Sequence, residues 1–190
     1  VEDNEYENLE DEYKPFSHRC EYSTNLMNKL DEFSKKDNVK LNMKLIAKAI
    51  IFAKKWHGTQ MRKTGDHPFY WHPLKVAEMV AERYCKTDVI VAAILHDVVE
   101  DSECTVELIE KEFNVRIAQI VDRLTNKRFE NGKHIKLTLE ETLNRLQEVG
   151  DMEALLIKQI DRVHNLETIE GLKADKQKKM AEESNSYFVK

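Results

Sequence analysis

The sequence predicts an all-α protein, a single helical bundle, and three observations carry that expectation. Only five Gly and three Pro occur in 190 residues, too few for the many turns of a β fold. Hydrophobic residues make up 41 % and charged ones 34 %, a balance that closes one core and leaves a solvated surface. Apolar side chains recur three and four apart along most of the chain, the spacing of one helix face. The length suits one full-sized domain, placed at residues 23–190 behind an acidic tail at 1–22.

Leu26, Leu30 and Phe33 open the bundle with a short amphipathic helix, and Ile46, Ala49, Ile50, Ala53 and Trp56 give a second. The segment 62–73, with Gly65, Pro68 and Pro73, reads as a loop. Pro73 suits the first position of a helix over Leu74–Tyr84, where a missing N–H has no partner to lose. Residues 88–100 are apolar nearly all round, which predicts one continuous helix enclosed by the others. Leu108, Ile109 and Phe113 predict a brief helix stopped at Asn114, a residue that tolerates the left-handed C-cap, and Ile117, Ile120, Val121 and Leu124 predict another. The polar stretch 125–134 reads as a loop. Thr138 and Glu141 have the capping-box spacing, ahead of inward-facing Leu139, Leu143 and Leu146 and a terminating Gly150. Asp151 then caps a final long helix with Leu156, Ile160 and Val163 in its apolar stripe.

Charge excludes some partners. The net charge is −5 and the acids are densest at Glu2, Asp3, Glu5, Glu7, Glu10, Asp11 and Glu12, a pattern of a solvated tail that argues against a nucleic-acid polymer. Two basic clusters, KKWHGTQMRK at 54–63 and KADKQKK at 173–179, can each hold a small polyanion, although the second reads more simply as helix solvation. Cys20, Cys85 and Cys104 are odd in number and lack a CxxC spacing, so neither a disulfide framework nor a cysteine zinc site is expected, and a reducing cytoplasm fits. The first residues are acidic where a signal peptide is basic, and no apolar run approaches the ~18 residues of a membrane span.

The chemistry concentrates in VIVAAILHDVVED, residues 89–101, where seven apolar residues run into one histidine and three acids. Carboxylates beside an apolar core are costly unless neutralised. On a continuous helix His96 aligns with Glu100 and Asp97 with Asp101, and a divalent cation at the His96/Asp97 level offsets the charge. Further donors are expected elsewhere: His72, between Trp71 and Pro73, and the final helix, where Asp161, Asn165 and Thr168 form a polar row beside the apolar stripe. His57 shares a face with Ile46, Ile50 and Ala53 and reads as a packed structural histidine. His164 reads as a neighbour of the site and not a ligand, while His18, His67 and His134 read as incidental. Arg162 can pair with an acid or touch a substrate, and both readings stay open.

The segments HGTQMRKTGDHPFYWHP, AAILHDVVED and IDRVHNLETI, in that order, resemble the hydrolase domain of the RelA/SpoT family, within the HD superfamily of metal-dependent phosphohydrolases. The resemblance spans roughly residues 45–187. It implies an HD-domain helical bundle that removes the 3′-pyrophosphate of the alarmone (p)ppGpp, giving GDP or GTP, by a metal-activated water. It implies His72, His96, Asp97 and Asp161 as ligands of one Mn²⁺, a donor set that suits a first-row divalent ion. Glu100 and Asp101 match the acidic pair that orients and deprotonates the water, one helical turn, ~5.4 Å, beyond the ligands. Arg62, Lys63 and Thr64 match a segment contacting base and phosphates, Asn165 and Thr168 match nucleotide-contacting positions, and Leu172 either walls the base or simply packs.

Two departures bear on the nucleotide pocket: Thr59 stands where the family has glycine, and the 65–73 loop is one residue longer. Two readings compete with the main one, an HD-type phosphohydrolase acting on another phosphorylated nucleotide such as NADPH, and a catalytically silent alarmone-binding module. The intact Glu100/Asp101 pair speaks against silence. The implied partner is a small nucleotide, with no nucleic acid and no membrane; the sequence says nothing of oligomeric state.

Overall fold

A computed structural model describes residues 20–62, 67–130 and 133–188. The acidic run, His18, and the site candidates Lys63 and Thr64 lie outside the described residues. The elements in chain order are α1 (Glu21–Asp37), α2 (Met43–His57), α3 (Trp71–Arg83), α4 (Thr87–Leu95), α5 (Val98–Asp101), α6 (Val106–Glu112), α7 (Val115–Leu124), β1 (Lys127–Glu130), β2 (Lys133–Lys136), α8 (Leu139–Val149), α9 (Met152–Glu167), a 3₁₀ turn (Ile169–Gly171) and α10 (Ala174–Phe188). The all-α expectation holds, with one two-stranded antiparallel ribbon added.

The centre of the bundle is α4. Every residue from Val89 to Leu95 is fully buried, because an all-apolar helix gains most when its whole circumference leaves water. Helices α2, α3 and α7 pack around it, and α9 closes against α3, α4, α7 and α8. Helix α1 begins at Glu21, two residues before the expected start of the domain, and Tyr22 already packs on the core. Leu26 and Leu30 face inward from it as expected, and it stops at Asn38, whose φ of 52° is a left-handed C-cap.

Local capping fixes where the other helices start. Asn42 accepts a hydrogen bond from the Leu45 N–H and Thr105 accepts from that of Leu108. The capping box is formed, with the Thr138 hydroxyl accepting from the Glu141 N–H while the Glu141 carboxylate accepts from the Thr138 N–H, and Gly150 ends α8 at φ 71°.

Five local expectations need correction. The run 88–100 is not one helix: α4 ends at Leu95 and a turn at His96–Asp97 separates it from α5. Asn114 is not a left-handed C-cap but an extended N-cap whose side chain accepts from the Ile117 N–H, because α6 and α7 are joined through it with no loop to spare. Helix α3 starts at Trp71, so Pro73 is its third residue, still within the first turn, where no N–H is needed. The 125–134 segment contains β1 and part of β2, paired Lys127↔Lys136 through Glu130↔Lys133. Val163 is 44 % exposed, whereas Ile157 and Ile160 carry the inward face of α9 with Ala154.

The N-terminus of α9 is anchored by charge. Asp151 accepts from the Ala154 N–H and holds Arg116 in a two-pronged pair at 2.8 and 2.9 Å, with Arg123 on the same carboxylate. Burial alone disfavours its ionised form, but Arg116, the helix N–H and Arg123 hold its carboxyl well below the usual range. A depressed pKa contributes stability above the ordinary carboxylate value and loses it as pH falls through the folded value. Asp151→Ala is expected to lower unfolding free energy by about 2–4 kcal/mol, losing a cap and the partner of Arg123 while Arg116 keeps Glu153. Urea titrations at neutral and acid pH check this: the gap between variant and parent should narrow on acidification.

Candidate metal centre

The turn between α4 and α5 is what builds the centre. Consecutive residues on a regular helix point about 100° apart, so two neighbours rarely serve one point. At His96 and Asp97 the helix breaks, with Asp97 at φ −97° and ψ −8°, and the Asp97 Oδ1 lies 3.2 Å from His96 Nε2. The i,i+4 alignment expected of one continuous helix is therefore replaced by side-by-side presentation of the doublet. From α3, the first turn aims His72 at the same point, with Nε2 3.8 Å from Asp97 Oδ2. Asp161 arrives from the middle of α9, its Oδ1 3.0 Å from His72 Nε2 and 3.7 Å from His96 Nε2. Four side chains from positions 72, 96, 97 and 161 thus converge, and donor atoms of His72, His96 and Asp97 lie within 4.8 Å of one another.

The donor chemistry fits a divalent cation. His96 is 3 % exposed and its Nδ1–H donates to the Ala93 carbonyl at 2.7 Å, which leaves the Nε2 lone pair facing carboxylates. That Nε2 is buried with no hydrogen-bond partner. A lone pair directed at anionic oxygens is unfavourable until a cation stands between them. The carboxylates call for positive charge at this place: burial pushes His96 toward neutrality, yet Asp97 and Asp161 raise it well above an ordinary histidine, so that without a metal a proton takes the lone pair that a cation would otherwise use. Asp161 is disfavoured by burial but held well below the usual carboxylate range by Lys158, His72 and His96.

A second layer of side chains orients these four. His72 Nδ1 lies 2.7 Å from His164 Nδ1, and with a cation at Nε2 the His72 Nδ1–H donates to His164. Burial, together with His72 and Arg62, lowers His164 to about 3, so it stays a neutral acceptor. Lys158 Nζ sits 3.4 Å from Asp161 Oδ2. His164 is thus the neighbour of the site that the sequence suggested, while Lys158 was not singled out, although both lie three positions from Asp161 on α9, the spacing of one helix face.

The candidates for nucleotide contact join the centre through Asp161. Asn165 donates from Nδ2 to Asp161 Oδ1 at 2.6 Å, and its Oδ1 accepts from Arg62 Nη2 at 3.2 Å. Arg62 also donates to Thr168 Oγ1 at 3.3 Å and lies 6.0 Å from the Trp71 ring centroid. The row Asp161, Asn165, Thr168 expected on one side of α9 is therefore assembled, with Thr168 as the cap that ends the helix. Leu172 is half-buried just past the 3₁₀ turn.

Glu100 and Asp101 lie on α5, turned toward the ribbon. Glu100 Oε2 accepts from the Asn126 N–H at 3.1 Å, and Lys136 Nζ lies 3.6 Å from its Oε1. Lys127 Nζ lies 3.7 Å from Asp101 Oδ1 and donates to the Glu100 carbonyl.

The remaining histidines and Arg162 are placed by packing. His57 is 1 % exposed, with Nδ1 3.3 Å from Gln60 Oε1, and Gln60 Nε2 donates to the Asp101 carbonyl. Gly58 carries the positive φ, 53°, that ends α2, so Thr59 in the family's glycine position sits exposed without strain. His67 is not incidental: it stacks on Trp71 at 4.1 Å and its Nδ1 lies 3.2 Å from the Tyr22 hydroxyl. Arg162 pairs with Glu183 and donates to Ser184 Oγ, docking α10.

Fold and centre together define a helical-bundle protein with a largely buried His/His/Asp/Asp cluster suited to a divalent metal ion. The chain belongs to the HD domain family, whose model matches residues 49–190. Over 148 residues it is 37 % identical to the guanosine-3′,5′-bis(diphosphate) 3′-pyrophosphohydrolase of Aquifex aeolicus, covering 76 % of this chain and 20 % of that protein. It is 33 % identical over 154 residues to the probable enzyme of that name from Mycoplasma pneumoniae, covering 77 % of this chain and 21 % of that one. It is 34 % identical over 151 residues to the GTP pyrophosphokinase rsh of Brucella ovis, covering 78 % of this chain and 20 % of that protein. The chain thus spans about a fifth of the length of these relatives, and the motif resemblance to the RelA/SpoT hydrolase domain agrees with them. No helix among the described residues is long and apolar enough to cross a membrane.

Proposed function

We propose that this chain hydrolyses the 3′-pyrophosphate of (p)ppGpp with one Mn²⁺, held by His72, His96, Asp97 and Asp161. The observation that carries this reading is the convergence of those four side chains on a point joined through Asn165 to Arg62 and Thr168, so that ion and nucleotide contacts share α9. The names of the Aquifex and Mycoplasma relatives supply the substrate. A divalent ion in this place offsets phosphoryl charge and makes a nearby water more acidic.

The chain's own residues do the rest. Glu100 takes the proton of the attacking water, and Asp101 assists its passage toward the ribose oxygen as the phosphorus–oxygen bond at the 3′ position breaks. Arg62 stacks on the base, Lys63 and Thr64 meet the phosphates, Asn165 and Thr168 orient the nucleotide, and Leu172 lines the base. The described cysteines are all free, in keeping with a reducing cytoplasm.

Purified protein with Mn²⁺ is expected to release pyrophosphate from ppGpp, followed by separating GDP from substrate. Turnover of NADPH with ppGpp untouched, or ppGpp binding without turnover under any divalent metal, overturns the proposal.

A further inference from the structure

The ribbon of β1 and β2 presents two cations to the acidic pair, in a setting unlike that of the Arg116–Asp151 pair that anchors α9. Lys127 and Lys136 are direct cross-strand partners, so the ribbon carries like charges side by side, which opposes its own formation. A lone two-stranded ribbon is already marginal in water. The arrangement therefore costs stability unless anions lie against it, and Asp101 and Glu100 do, at 3.7 and 3.6 Å.

Those pairs are loose. Arg116 meets Asp151 at 2.8 Å, a charge-assisted hydrogen bond, whereas the lysines stand beyond hydrogen-bonding distance from the carboxylates, with side chains 53 % and 69 % exposed. Exposed lysine pairs of this length add little to folding and exchange freely with other anions. What does fix the ribbon's entry is hydrogen bonding to Glu100 and Asn126: the Asn126 N–H donates to the Glu100 carboxylate, Lys127 Nζ to the Glu100 carbonyl, and the Thr142 hydroxyl to the Asn126 side chain at 2.8 Å.

The site's charge makes the consequence specific. Asp97 and Asp161 stand at the centre, and Glu100 and Asp101 follow one turn after Asp97, the Asp101 N–H donating to the Asp97 carbonyl at 2.9 Å, so that acidic groups flank the centre in a field that repels a polyphosphate. We propose that the ribbon is a phosphate-binding arm of this site: Lys127 and Lys136 leave the acidic pair for the phosphates of the incoming nucleotide. The exchange is favourable, because the cations gain a multiply charged partner while Glu100 keeps the hydrogen bond from the Asn126 N–H. This rests on the nucleotide polyphosphate reading above.

Two measurements on the Mn²⁺-loaded protein test it. In the first, inorganic pyrophosphate is titrated by calorimetry into the parent, K127Q/K136Q and K127R/K136R; in the second, ppGpp hydrolysis is followed across ionic strength. K127Q/K136Q is expected to weaken pyrophosphate binding and to raise KM by about tenfold, with a larger effect on KM than on kcat and a shallower dependence of KM on salt. K127R/K136R should stay close to the parent. Unchanged pyrophosphate affinity in K127Q/K136Q, or an equal loss in K127R/K136R, overturns the proposal. If the parent binds pyrophosphate but leaves ppGpp intact, the substrate assignment fails while the calorimetry still decides the role of the lysines.

Discussion

Asp161→Ala is expected to remove the divalent ion and the activity together. The Asp161 carboxylate joins both imidazoles to the polar row of α9: it lies 3.0 Å from His72, 3.7 Å from His96, 2.6 Å from Asn165 and 3.4 Å from Lys158. Residues that only orient metal ligands cost 10–100-fold in affinity when lost, so a ligand itself should cost more than about 100-fold. The same change removes the carboxylate beside Lys158, which is 9 % exposed, and a buried charge without its partner costs on the order of 3 kcal/mol. Asp161→Asn separates the two effects, because an amide still accepts from Lys158 but binds a cation poorly. Calorimetric Mn²⁺ titration of both variants reads the affinity, and thermal unfolding without metal reads the stability. Undiminished affinity in Asp161→Asn contradicts the assignment of Asp161 as a ligand.

The second large effect is expected at Glu100, and it has the opposite signature. Glu100→Gln should retain Mn²⁺ at near-parental affinity while kcat for ppGpp falls by about 10²–10⁴-fold, the usual share of a positioned general base. The structure makes the substitution mild: Glu100 Oε2 accepts from the Asn126 N–H, and the amide oxygen of glutamine can accept from the same donor. Fold and ion site should therefore persist. A variant that turns over ppGpp at the parental rate contradicts the proposed role, and one that has lost the metal moves Glu100 among the ligands.

Much of this was legible in the sequence, for identifiable reasons. Helix positions followed from apolar spacing because side chains such as Leu26 and Leu30, or Leu143 and Leu146, repeat on one face, and the capping groups Thr138 and Asp151 announce their own starts. The row Asp161, Asn165, Thr168 was readable because polar groups beside a buried stripe break the pattern. The interruption after Leu95 was not, since the residues on both sides are apolar helix formers and nothing in 94–98 is a breaker. What breaks the helix is the site itself, which turns His96 and Asp97 to one point.

The ribbon was missed for a different reason. Its strands, KRFE and KHIK, are too polar and short to show alternation, but Asn131-Gly132 between them is the strongest short hairpin signal a sequence offers. His164 was read as a neighbour of the site, but not as the support of a particular ligand, because periodicity places a histidine on a face without saying what stands opposite it. Only the packing of α3 against α9 reveals that His72 Nδ1 is there, 2.7 Å away.

The most direct test of the centre is an anomalous-difference map from crystals grown with Mn²⁺. One peak is expected, at bonding distance from Nε2 of His72 and of His96 and from carboxylate oxygens of Asp97 and Asp161. A map with no peak there, or with its peak bound by other side chains, contradicts the assignment of these four residues.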